Sequence, residues 1–256
     1  MGKTQKTDTG DLFPKAKKKS TGKRMFNNRS LREKKFHSVM DTEKAKAHPE
    51  LAYWRNILGD MEGRCKIMVY GRSGSGKSVL VLRLAQFLSQ IYGKAAYNSW
   101  EERVNKTLKL RVENFDITSP TLWFLDSNDY EELCTRIEKL YLRIVVIDSV
   151  QYAKFTKDQL LDIERRFAKR HIIYILVSFG TVEFKTRGAD DLLHACDIKI
   201  YVSRGKAHVT NRYLHKKAII ELFDEELSIE QPEPDEVAPD LFTPNSPQDE
   251  TVHTQA

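Results

Sequence analysis

An α/β fold, with a mostly parallel central sheet flanked by helices and a β-hairpin at its C-terminal end, is predicted by three features of this 256-residue sequence. Short Ile/Val-rich runs alternate with longer helical patterns through the middle of the chain. The runs are nearly continuous in apolar residues, as strands covered on both faces are, whereas half-exposed strands alternate. A glycine-rich loop joins the first run to the first long helical pattern, where open α/β sheets place their ligands. The length suits one sizeable core with tails.

The elements are taken in chain order. Residues 65–70 form a strand, and 78–92 an amphipathic helix stopped by Gly93. Residues 95–98 form the next strand before a charged helix over 102–112. The strand 122–125 precedes a helix over 130–141, and the strand 144–147 precedes one over 157–169. The run 172–177 is the last strand of this alternation, and 189–196 is a short helix. Residues 198–202 and 208–214, on either side of Gly205, read as the terminal hairpin. There is no internal repeat.

The net charge of +6 conceals a strong asymmetry. Residues 1–36 hold 12 Lys/Arg against 3 Asp/Glu, residues 37–222 hold 30 against 23, and residues 223–256 hold none against 10. The basic first segment has few large apolar residues to offset the entropy of ordering, so a disordered tail is expected. Pro232, Pro234, Pro239, Pro244 and Pro247 deny the acidic last segment long helices, so a second disordered tail is expected there. The folded domain is therefore placed at 37–222. No apolar run reaches the roughly 18 to 20 residues of a membrane span, and no apolar stretch comes after the lysine-rich start as in a secretory signal. Cys65, Cys134 and Cys196 are widely separated, unlike zinc ligands or a disulfide framework. A reduced cytoplasmic protein with no membrane partner is the simplest reading.

Gly71-Arg72-Ser73-Gly74-Ser75-Gly76-Lys77-Ser78 matches the phosphate-loop pattern G-x-x-x-x-G-K-[ST], with Val79 next in the first turn of the helix. Glycines let the backbone curl so that successive N–H groups point inward at phosphates, and the helix N-terminus adds positive potential. Lys77 is expected to neutralise the β and γ oxygens of ATP, and Ser78 to bind Mg²⁺. The second feature is an acid: the apolar strand 144–147 ends in Asp148, on the side of a parallel sheet where the phosphates lie, so Asp148 is expected to hold Mg²⁺ through water. A strand-ending Asp that caps a turn is the ordinary structural alternative.

The strand 95–98 leads into Ser99-Trp100-Glu101-Glu102. A carboxylate here could take a proton from the water that attacks the γ phosphate. Alternatively, Ser99 and Glu102 have capping-box spacing and both acids belong to the first turn of a helix. Glu101 is assigned to catalysis and Glu102 to capping.

These residues together resemble the RecA-like P-loop ATPases, and among them the RadA family, over roughly residues 57–222. Gly59 and Gly63 resemble the family's glycine-rich lead-in, the stretch 95–102 its strand ending in Ser-Gly-Glu-Glu, and 146–151 its Walker B segment. The stretch 188–201 resembles the segment after its sensor strand, and 209–213 its Lys-Asn-Arg-Phe-Gly element. Trp100 replaces the family's Gly, Thr210 stands where its Lys would be, and Leu214 replaces the closing Gly. Arg212 could substitute for that Lys, against the ordinary reading of a hairpin arginine in solvent. The family's zinc finger and protease-like domain have no counterpart, an arrangement expected of a core encoded by a phage or mobile element.

The resemblance implies an ATPase that acts on DNA in repair, recombination or replication, as a homo-oligomer with ATP at subunit interfaces. The connection 179–188 carries Phe184, Lys185 and Arg187, a mixture suited to tracking phosphates and stacking bases. It is also what an ordinary surface loop can contain. Two other classes stay open: a nucleotide-dependent switch or assembly factor with a protein partner, and a small-molecule kinase. A kinase would be expected to carry an arginine-rich lid, and no such insertion is visible.

Overall fold

A computed structural model describes residues 35–180, 186, 188–214 and 218–222. The chain enters through a short 3-10 turn, Val39–Asp41, and two helices, α1 (Glu43–Lys46) and α2 (Leu51–Leu58). It then alternates: β1 (Lys66–Gly71), α3 (Lys77–Ile91), β2 (Ala95–Ser99), α4 (Lys106–Asn114), β3 (Leu122–Leu125), α5 (Tyr130–Leu140), β4 (Ile144–Asp148), α6 (Lys157–Arg166) and β5 (Ile173–Phe179). The last elements are α7 (Asp190–Ala195), β6 (Ile198–Ser203), β7 (Lys206–Asn211) and β8 (Ala218–Glu221).

The strands form one eight-stranded sheet in the order β3-β2-β4-β5-β1-β6-β7-β8. The six strands from β3 to β6 are mutually parallel, and β7 and β8 are added antiparallel. The expected hairpin is therefore present as β6–β7 and is extended by β8, which the sequence pattern does not separate. Every residue of β4 is buried, as are the first six of β5, so the continuous Ile/Val runs do mark strands covered on both faces.

Alternation along the strands divides the core in two. Ile67, Val69, Ile144, Val146, Ile175 and Val177 pack with the apolar residues of α3 and with Trp54 and Ile57 of α2. Met68, Val145, Ile147, Tyr174 and Leu176 pack with Leu133 and Ile137 of α5, Leu160 and Ile163 of α6, and Leu192 of α7. Successive Cβ atoms point to opposite faces, so one apolar run serves both layers.

Local chemistry sets the helix starts. Thr156 and Gln159 form a reciprocal capping box at α6, and Asp129 caps α5 through the Glu132 amide at 2.8 Å. The helix expected from residue 102 begins instead at Lys106. Asn105 Oδ1 accepts from the Leu108 amide at 3.0 Å and caps it, while Arg103 has a φ of 61° that no helix accommodates. The capping role expected of Glu102 is thereby corrected, and Ser99 is the last residue of β2.

The charged segments assigned to 1–36 and 223–256 lie outside the described residues, apart from Lys35 and Phe36. So do Phe184, Lys185 and Arg187 of the connection after β5. Among the described residues no helix is long and apolar enough to cross a membrane, and the three cysteines are buried free thiols.

Candidate functional site

The C-terminal ends of four neighbouring parallel strands converge on one cavity of about 320 Å³. Across the sheet, β2 delivers Glu101, β4 delivers Asp148, β5 delivers Ser178 and Phe179, and β1 delivers the glycine-rich loop. Ser73, Gly74, Gly76, Lys77, Ser78 and Val79 of that loop and first turn line the cavity. Gly71, Arg72 and Ser75 support them from outside the lining.

Gly71, at the end of β1, lies opposite Val202 of β6. A Cβ there would stand 2.1 Å from the Val202 carbonyl oxygen, so the loop can leave the sheet at this point only from a glycine. Gly76 occupies the N-cap of α3 at a φ of 98°, and no side chain caps the helix. The first-turn N–H groups are left for a ligand, which is how a helix N-terminus binds anions. Ser149 Oγ, at the cavity wall, is buried without a protein hydrogen-bond partner. Buried hydroxyls of this kind require a partner, and a polyoxygen anion supplies one.

Lys77 is buried, and its Nζ donates to the Arg72 carbonyl at 2.7 Å. Burial holds its ammonium below the ordinary lysine range, while Asp148 and Glu101 act in the opposite direction. Asp148, at 5% exposure, accepts a hydrogen bond from the Tyr97 hydroxyl. Burial raises its carboxyl above the usual range, against the Tyr97 bond and the charges of Arg111 and Lys77. Ser78 lines the same cavity as Asp148. Glu101 is raised by desolvation first and then by the neighbouring Asp148 and Glu102 charges. It is more exposed than Asp148 and faces the cavity beside it.

The turn that carries Glu101 is tied down on both sides. The amides of Trp100 and Glu101 both donate to the Asp148 carbonyl, at 2.6 and 3.2 Å. Glu102 pairs with Arg111 of α4 through two hydrogen bonds of 2.8 Å each. Gln151 bridges the loop after β4 to the end of β5, donating to Ser178 Oγ at 2.8 Å and accepting from the Phe179 amide at 3.3 Å.

The structure thus gathers Lys77, Ser78, Glu101 and Asp148 around one space. Sequence reasoning missed Tyr97, Arg111 and Phe115, which complete the site. Tyr97 looks like any core aromatic in a strand, and Arg111 like any exposed helix charge. Arg212, considered for a trans-acting role, is placed at the opposite end of the sheet. There it donates to Asp197 at 3.1 Å and its side chain is 64% exposed, as expected of a hairpin arginine in solvent.

No protein-family model matches the chain. Over 116 residues, 44% of the chain, it is 31% identical to DNA repair protein RadA of Bacillus subtilis, in a stretch covering 25% of that relative. It is 24% identical over 194 residues to DNA repair protein RadA of Chlamydia trachomatis, covering 70% of this chain and 42% of the relative. The chain therefore spans less than half the length of these curated relatives. Among solved structures, a KaiC-like protein from the hyperthermophilic archaeon Pyrococcus horikoshii aligns with a TM-score of 0.48 at 14% identity, over 64% of this chain and 86% of that one. A second solved structure, the ATPase domain of another protein, aligns with a TM-score of 0.47 at 12% identity, over 66% and 84%.

Proposed function

We propose that this chain, whose RecA-like core is similar to that of the DNA repair protein RadA, binds ATP with Mg²⁺ and hydrolyses it while acting on DNA in repair, recombination or replication. The observation that carries the reading is the meeting of Lys77, Ser78, Asp148 and Glu101 around one cavity at the strand ends. A phosphate loop alone is shared by kinases, switches and motors. An acid on β4 and a second acid after β2, opposite the loop, add what hydrolysis needs.

In this reading the free amides at the start of α3 and the loop backbone hold the phosphates, and Lys77 exchanges the Arg72 carbonyl for phosphate oxygen. Ser78 would give its hydroxyl oxygen to Mg²⁺ and Asp148 would hold the ion through water, a set that suits a cation usually bound by few protein oxygens together with waters and phosphate oxygens. When bound, Mg²⁺ neutralises charge on the β and γ phosphates. Glu101 orients the attacking water and takes its proton, a role suited to a carboxylate whose proton affinity is raised by desolvation. Val177, Ser178 and Phe179 also line the cavity. ATP bound between neighbouring subunits of a homo-oligomer would alter their affinity for DNA.

The test is phosphate release from ATP and Mg²⁺ by the full chain, alone and with single-stranded or duplex DNA. Turnover stimulated by DNA is expected. Transfer of the γ-phosphoryl group to a small molecule would overturn the reading in favour of a kinase. Tight ATP binding without turnover, under all three conditions, would favour a switch that acts on a protein partner.

A further inference from the structure

Glu101 sits on a short irregular turn between β2 and α4, where a general base would ordinarily be poorly held. A carboxylate that must meet a water within hydrogen-bond reach needs its backbone fixed, because a misplacement of about 1 Å can cost on the order of 100-fold in rate. One side of the turn is fixed by the Trp100 and Glu101 amides on the Asp148 carbonyl. The other side begins at Glu102, whose carbonyl accepts from Asn105 Nδ2 at 2.7 Å. Its carboxylate is gripped by both terminal nitrogens of Arg111, and the two side chains are only 30% and 20% exposed.

Geometry of this kind is stronger than an ordinary surface pair. Two parallel N–H to oxygen bonds fix the plane and direction of the carboxylate as well as its distance. Arg111 stands on a regular helix, one turn before the Phe115 cap, so it brings the rigidity of α4 to the turn. Arg111, Glu102 and Glu101 also line the same cavity, so the pair is built into the wall of the site.

We propose that Arg111 is a positioning residue, which acts through its bidentate pair with Glu102 to hold Glu101 in register with the water it activates. The inference rests on the ATPase reading and adds to it a use for the second acid of the Glu101-Glu102 pair. Glu102 in this role neither caps a helix nor takes a proton.

The experiment combines a ligand-free and a catalytic readout on the full chain. In the protein without nucleotide, Arg111→Gln should speed hydrogen exchange at the Trp100 and Glu101 amides by about tenfold, the local loosening expected from loss of a charge-assisted pair. With ATP and Mg²⁺, the same variant should lose on the order of 10- to 100-fold in kcat while ATP affinity stays near that of the unmodified chain. Glu102→Gln should reproduce both effects. The exchanged pair Glu102→Arg with Arg111→Glu should recover part of kcat, because it rebuilds the ion pair with the charges reversed, and the loss of kcat at unchanged ATP affinity is what a merely structural role would not produce.

Unchanged amide exchange, or full kcat in both single variants, overturns the proposal while leaving the ATPase reading intact. Weakened ATP affinity with kcat retained would also overturn it, by making Arg111 a phosphate ligand. Absence of turnover in the unmodified chain defeats the ATPase reading instead, and unchanged amide exchange then rejects the positioning role on its own terms. If Arg111→Gln fails to fold, Glu102→Gln carries the same two measurements.

Discussion

Lys77 and Ser78 are adjacent in sequence and both line the cavity, and the proposed function gives them different partners. Lys77 spends its ammonium on the Arg72 carbonyl, an oxygen that phosphate can replace. Lys77→Ala should leave the fold in place and abolish measurable ATP binding or turnover; near-normal values in nucleotide titration and phosphate release would remove the phosphate-loop assignment. Glu101 and Asp148 are separable by the same logic. Glu101→Gln should spare ATP binding and lower turnover by about 10²- to 10⁴-fold, the usual contribution of a general base. Asp148→Asn should weaken the Mg²⁺-dependent state first, seen as a higher Mg²⁺ requirement for ATP binding. Tyr97 is the residue on which Asp148 depends. Tyr97→Phe deprives a buried carboxylate of its donor and should cost about 1–3 kcal/mol of stability, read from urea unfolding.

At the scale of elements, β1 shows why a loop and its strand cannot be treated separately. Its last residue touches the backbone of β6, so Gly71→Ala forces a methyl group into the Val202 carbonyl. The variant should lose about 1–3 kcal/mol, as overpacked sites do, and thermal melting would detect it. Much of this scale is legible in the sequence. The pattern places β3 at its observed bounds, and β1, β2, β4 and α3 to within one residue, because unbroken apolar runs and the Gly93 stop are local signals. The failures also have local causes. The helix after β2 starts four residues later than its charge pattern indicates, because Asn105 offers a side-chain cap and Arg103 breaks the approach. The strand β8 is not separable in the sequence because its four residues carry a weak signal, and its pairing with β7 comes from tertiary contact.

For the whole molecule, the distribution of charge matters more than its sum. The two ends carry +9 over residues 1–36 and −10 over residues 223–256, while the domain between them is itself basic. If the basic arm contacts duplex phosphates, each neutralised phosphate steepens the dependence of log affinity on log salt by about 0.9. Removing residues 1–36 should therefore weaken DNA binding and flatten that slope. Removing residues 223–256 should strengthen binding, because an acidic segment competes with DNA for cationic surface. Binding isotherms at several salt concentrations decide the matter, and slopes unchanged in both truncations would reject the electrostatic account.

The sequence by itself determined the alternation of strands and helices and the phosphate loop. It also marked out Asp148 and Glu101 as strand-end acids. Each of these depends on residues within a few positions of one another: glycines that free the backbone, apolar runs long enough for a strand, and an acid where such a run ends. Tertiary structure decided the order β2-β4-β5-β1, which sets Glu101, Asp148 and the loop side by side, although residues 71 and 148 are far apart along the chain. It also decided that Tyr97 would hold Asp148 and that Arg111 would hold Glu102. The first arises from the pairing of β2 with β4 and the second from the turn that brings Glu102 back onto α4, and neither leaves a periodic trace in the segments it joins.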